Sequence, residues 1–176
     1  MIKKYKEFLN EGVLDNLKGP TEEEIWNEVK DLDPIDMMIK SARIDYLKGV
    51  KHALSIDSFC KSYMIDAGIE AAKYDNIEIV KYLLEEGMQV NDLNSGLLHA
   101  AAGNGNTELV KLLIEEGADI DSHDCYALYL ASRDGFIETT KVLLEHGAKV
   151  PEYIIRNMDK RNFKPEISEL LKKYTK

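Results

Sequence analysis

The chain has little of what secretion, membrane insertion or catalysis requires. It holds only two cysteines, Cys60 and Cys125, far apart in 176 residues. That is too few for a disulfide framework, so the reading is reduced thiols in a cytosolic setting, with one structural disulfide as the lesser alternative. The four histidines, His52, His99, His123 and His146, do not fall at ligand spacing, so no zinc site, other metal or cofactor is expected. No apolar run approaches the roughly 18 residues of a spanning helix. The N-terminus carries lysines but no apolar h-region, which excludes a secretory signal. Positive charge is in deficit: 23 Lys and Arg face 32 Asp and Glu, for a net charge of -9 and a pI of about 5.0. A phosphate-binding surface needs a dense basic face, so general nucleic-acid binding is disfavoured.

Catalytic signatures are missing as well. There is no G-x-S-x-G, H-E-x-x-H, Walker loop or paired-cysteine pattern, and no enzyme is expected. Gly103-Asn104-Gly105 forms a G-x-G, but it falls between two helices and not after a strand, so it is no phosphate loop. Cys125 lies two residues from His123 in a stretch expected to run extended, where the two side chains share a side without touching.

What is present is a repeat. Hydrophobic content of 44% with 31% charge marks a globular chain of one domain. Segments starting at Ala71, Ala101 and Ala131 are alike and follow at a gapless period of 30, and a weaker copy starts at Ser41. Each reads as a short helix rich in small residues, a turn such as Asn104-Gly105, and a second helix. Leu109, Val110, Leu112, Leu113 and Ile114 make that second helix apolar on more than one side, which suits a helix sandwiched between neighbouring units. Gly87, Gly117 and Gly147 end the second helices as left-handed residues. The fold class expected is all-α, a solenoid of about four helix-turn-helix units over residues 35–150.

The segment from Leu98 to Ile120 resembles an ankyrin repeat. Leu98-His99, Ala101-Ala102, Gly105, Glu108, Val110 to Leu113 and Gly117-Ala118-Asp119 stand at the family's spacing, and the resemblance runs over about residues 38 to 150. It implies stacked helix–loop–helix units with projecting finger loops, His99 as a hydrogen-bonded structural residue, and a non-enzymatic protein-binding role. The family's usual period is about 33, so fingers three residues shorter are implied. The shortened form is similar to repeats abundant in large DNA viruses. In the first copy Asp57 replaces the capping glycine and Gly49 a core aliphatic, so that unit should be distorted.

Residues 12–34 and 151–176 read as helical caps. Thr21 with Glu24 makes a capping-box pattern, Ile25, Trp26 and Val29 an apolar face, and Asp33-Pro34 an N-cap followed by Pro at the first helical position. Pro151 and Pro165 stand at the starts of two further helices. Residues 1–11 read as a cleavable leader. Lys4, Tyr5, Glu7, Phe8, Leu9 and Glu11, with Gly12 following, resemble the capsid-targeting leaders of internal head proteins of T-even bacteriophages, which are cut after the Glu. The resemblance implies processing between Glu11 and Gly12, a cytoplasmic setting in a host cell or packaging in a virion head, and a host or viral partner.

By the family's geometry, partners lie on the concave face. Position for position this selects Arg43, Lys73, Tyr74, Asn104, Arg133 and Asp134 on the first helices, and Tyr63, Asn94, His123 and Tyr126 on the fingers. Arg43, Lys73 and Arg133 form a basic row suited to an acidic peptide. Tyr63, Tyr74 and Tyr126 offer amphipathic anchors. A monomer with a protein partner is expected.

Overall fold

A computed structural model describes residues 20–160 and 163–175. Among them the architecture is all-helical, without a strand. The N-terminal helix α1 (Glu22–Val29) opens on the expected capping box: Thr21 Oγ1 accepts from the Glu24 amide, and the Glu24 carboxylate accepts from the Thr21 amide at 2.6 Å. Two of the orphan donors of the first turn are thereby satisfied. Val29 is buried, and Ile25 and Trp26 are half-buried against the first unit.

Four helix pairs follow: α2 (Pro34–Arg43) with α3 (Leu47–Ile56), α4 (Met64–Lys73) with α5 (Ile77–Glu85), α6 (Asp92–Gly103) with α7 (Thr107–Glu115), and α8 (Ser122–Asp134) with α9 (Ile137–Glu145). Each second helix packs back on its own first helix, and the first helices α2, α4, α6 and α8 pack side by side in chain order. Small residues make that row close: Ala42, Ala71, Ala72, Ala101, Ala102 and Ala131 are fully buried. Ile79, Val80 and Leu83 of α5, and Leu109, Val110 and Leu113 of α7, supply the bulk of the core. The chain ends in α10 (Glu152–Lys160) and α11 (Pro165–Tyr174), whose Ile154, Met158, Ile167 and Leu171 cover the last pair. Residues 1–19, including Glu11 and Gly12 and the first part of the N-terminal cap, lie outside the described residues, as does the side chain of Asn94.

The punctuation of the repeat is borne out. Gly87, Gly117 and Gly147 have φ of 102°, 87° and 95°. A second left-handed position recurs between the two helices of each pair, at Asp45, Asp75, Gly105 and Gly135, with φ from 62° to 82°. Aspartate is among the few side-chain-bearing residues that tolerate this region. The first unit departs as expected. Asp57 is extended, with φ of −142°, and its carboxylate accepts from the Phe59 amide at 2.8 Å, so the first finger becomes a 3-10 helix (Ser58–Tyr63).

One expectation needs correction. The segment after Gly117 does not run extended into the next unit. Its few residues are coiled: His123, Asp124 and Cys125 have φ of 49°, 55° and 63°, one turn of left-handed helix fused to the start of α8. Leu93 and Ser95 repeat the feature one unit earlier, with φ of 47° and 61°. Each such residue costs about 1–2 kcal/mol, so the turns must be held from outside.

Candidate functional site

The holding groups are Asn91 and Asp121, one period apart. Asn91 Oδ1 accepts from the Asp119 amide at 2.8 Å, and its Nδ2 donates to the Gly117 carbonyl at 3.0 Å. Asp121 Oδ1 accepts from the Lys149 amide at 3.1 Å, and Lys149 Nζ closes on Oδ2 at 2.6 Å. Burial works to raise the Asp121 pKa, but the bonds from Lys149 outweigh it and hold the carboxyl below its ordinary value. Within each finger the residue four along, Ser95 or Cys125, donates back to the same carboxyl or amide oxygen. The Cys125 thiol is consequently no nucleophile: burial first, then the Asp121 carboxylate, push its pKa up to about 12.

The expected binding residues fall into three neighbourhoods. Arg43 and Lys73 are brought together by Glu70, a half-buried carboxylate between them. Arg43 Nε lies 2.9 Å from one Glu70 oxygen and Lys73 Nζ 2.6 Å from the other. Burial raises the Glu70 pKa, but the two cations prevail and lower it overall. Arg133 is engaged by the neighbouring Asp134 through two bonds of 2.6 Å, and its guanidinium lies 5.8 Å from the Tyr129 ring. The basic row is therefore neutralised by the protein's own carboxylates. Asn104 is turned inward as well, donating to the Ala100 carbonyl at 2.8 Å.

The second neighbourhood is aromatic. His123 and Tyr126 both meet the ring of His99 edge-on, at centroid distances of 5.5 and 5.3 Å. Tyr126 stacks near Tyr129 at 5.9 Å, and Tyr129 approaches Tyr153 of the C-terminal cap at 5.7 Å. Tyr153 donates its hydroxyl to the Asp124 carbonyl at 2.9 Å, bracing the left-handed turn. Burial, then the Asp124 charge, raise its pKa to about 12. Burial, with His123 as a second cause, lowers the pKa of His99, while a bond to the Ser122 backbone works the other way. The Ser122 bond fits the hydrogen-bonded structural role that the resemblance implies, while Nε2 is buried without a hydrogen-bond partner among the described residues. Tyr126 remains 40% exposed.

The third neighbourhood is a groove of about 430 Å³ between α2 and α4, lined by Ile35, Ile39, Tyr63, Asp66, Ile69, Glu70 and Lys73. A second hollow of about 270 Å³, lined by Leu32, Asp36, Ile39, Lys40 and Arg43, shares Ile39 with it. Tyr63 also meets the exposed Phe59 edge-on at 5.5 Å. Tyr74 caps α4 and is 36% exposed, away from the lining of the groove.

Ile39, Ile69, Tyr129 and Tyr153 were missed as site residues. A signal existed for three of them: Ile39, Ile69 and Tyr129 stand in phase with His99 at the 30-residue period. Ile69 also lies against α6, its Cδ1 only 3.0 Å from where a Cβ on Gly96 would stand, one turn before His99. Ile39, Ile69, His99 and Tyr129 hold the same position on the four first helices, which pack side by side, with Tyr126 one turn before Tyr129.

Among the described residues no group of His, Cys, Asp and Glu could hold a metal ion, and no helix is long and apolar enough to cross a membrane. Compared with curated proteins, the chain has no match. Compared with family models, residues 69–153 match ankyrin repeats in three copies, a span that runs from within α4, through the pairs α6/α7 and α8/α9, to the start of α10. The pair α2/α3 repeats their geometry outside the matched span. Stacked helix pairs with left-handed caps agree with that match, and residues 69–153 are an ankyrin-repeat region, a fold that serves as a non-catalytic scaffold for protein interaction.

Proposed function

We propose that the chain binds a protein partner along the first-helix face, across the strip from Ile39 through Ile69 and His99 to Tyr126 and Tyr129. The observation that carries this reading is the recurrence of Ile39, Ile69, His99 and Tyr129 at one position of four first helices packed in a row. An apolar groove lies at one end of the row and an aromatic cluster at the other, with exposed Tyr126 as an anchor that brings large area at low entropic cost. The neutralised basic row weighs against an acidic peptide as the target. Capture from lysate with quantitative mass spectrometry, run in parallel with variants, tests the reading. Ile69→Ala with Tyr126→Ala should deplete the retained partner, while Lys111→Glu on a second helix should not. Loss of the partner from the Lys111 variant alone would place the site on the opposite face.

The resemblance of residues 1–11 to phage head leaders favours a further element. In this reading the protein is virus-encoded, carried in the head, cut after Glu11 and released into the host cytoplasm to bind there as a monomer. The alternative is an internal, scaffold-associated head protein. N-terminal sequencing from particles should give Gly12 first in either case. A copy number of a few per particle supports delivery, and hundreds supports a structural role.

A further inference from the structure

Charge around the groove is unevenly satisfied. Its three cations are all engaged within the molecule: Lys40 by Glu28 at 3.4 Å, and Arg43 and Lys73 jointly by Glu70. Its anionic wall is not. Asp36 and Asp66 stand one period apart on α2 and α4, and among the described residues neither carboxylate forms an ion pair with a cation. Asp36 meets another acid instead: a side-chain hydrogen bond with Asp33 first, then the Asp33 charge, raise its pKa. Ile35, Ile39 and Ile69, all only partly buried, line the same two hollows as the aspartates.

We infer that the groove takes a basic amphipathic helix from the partner, with two cations on Asp36 and Asp66 and aliphatic side chains between them on Ile39 and Ile69. This deepens the proposed function and rests on it. The spacing selects the conformation. Neighbouring packed helices lie about 8–10 Å apart, so equivalent positions on α2 and α4 are about that far from each other. A helix rises about 1.5 Å per residue, so cations at i and i+7 are about 10.5 Å apart and face the same way, with i+3 and i+4 directed into the space between. An extended strand has no such match: about 10 Å is three residues, and side chains three apart face opposite ways. An acidic helix is repelled by the same two carboxylates.

The test uses the full-length protein and a fluorescein-labelled synthetic helix carrying Lys at i and i+7 and Leu at i+3 and i+4, followed by anisotropy. Binding should weaken with salt. It should fall about 5-fold or more in the double variant Asp36→Asn, Asp66→Asn, from the loss of two partly exposed charge pairs. A peptide with Glu in place of both Lys should not bind. Both aspartates are outside the core, and circular dichroism of the variant should match the parent. Equal affinity for the double variant, or equal binding of the Glu peptide, overturns the inference. So does a change in the protein's own sedimentation on neutralising the aspartates, which would make a second copy of the chain the occupant. If a captured partner depends on Ile69 and Tyr126 while the peptide ignores the aspartates, the protein-binding reading stands and the basic helix falls.

Discussion

Asp121 and Lys149 are joined twice across successive units, through the Lys149 amide at 3.1 Å and its ammonium at 2.6 Å. The Asp121 carboxylate also receives the Cys125 thiol at 3.2 Å, so one side chain pins the strained finger from both sides. Asp121→Ala leaves a backbone donor unpaired and should destabilise the protein by about 1–3 kcal/mol in denaturant titration. The Asp121 pKa is lowered in the folded state, so its contribution is present above the unfolded carboxyl value of about 3.9 and is lost as pH falls through the folded value. Asp121→Asn, which copies Asn91 of the preceding finger, should cost less than Ala and flatten the acid limb of the stability–pH curve.

Two glycines with similar backbones should respond differently to alanine. Gly117 has φ of 87° and open space where a Cβ would go, so Gly117→Ala should cost only left-handed strain, about 1 kcal/mol. Gly105 has φ of 73°, but its Cβ would enter the ring of Phe136. Overpacking adds about 1–3 kcal/mol, and Gly105→Ala should be the worse by that amount. Thermal melts of the two variants side by side check the order.

Leu113 is fully buried between α7 and its neighbours. Leu113→Ala removes transfer energy and leaves a cavity, for an expected loss of about 2–5 kcal/mol in chemical unfolding. A loss under about 0.5 kcal/mol, the range of surface changes, would contradict its place in the core.

Both thiols should be silent in the folded protein. Burial raises the pKa of Cys60 and, more strongly, that of Cys125. Titration with a disulfide reagent at pH 8 should detect no fast-reacting thiol in native protein and two in guanidinium. Rapid native reaction would mean that the fingers open readily.

The helix pairs, their caps and the core were legible because a gapless period of 30 repeats the same physical demands at Leu83, Leu113 and Leu143. The fingers were not. His123 and Asp124 are residue types that tolerate the left-handed region, but Ser122-His123-Asp124-Cys125 alone does not specify a turn; Asp121 ties the finger to Lys149 of the next unit, and Tyr153 of the C-terminal cap bonds the Asp124 carbonyl. Asn76 and Asn106 are a second case in which distant partners decide. They stand at N-cap positions but do not cap, and their amides instead donate to the Ala42 and Ala72 carbonyls of the preceding unit. Arg43 and Lys73 are neutralised by Glu70 and Arg133 by Asp134, and a run of cations at one period does not show which carboxylate each will meet. The first unit's 3-10 finger followed from Asp57, visible in the sequence as a missing glycine.

The inter-unit bonds lie at opposite ends of the first helices. Asn91 and Asp121 tie the fingers, and Asn76 and Asn106 tie the turns at the other end. The bonds divide the junctions between them: Asn76 joins α2 to α4 and Asn106 joins α4 to α6 at the turn end, and Asn91 joins the fingers before α6 and α8. Each junction between first helices is therefore tied at one end, where the rung interval is set before any partner arrives, and the face works as a gauge. A target whose anchors match the rung interval pays no deformation cost, and one of the wrong pitch is refused on geometry even when its chemistry is right.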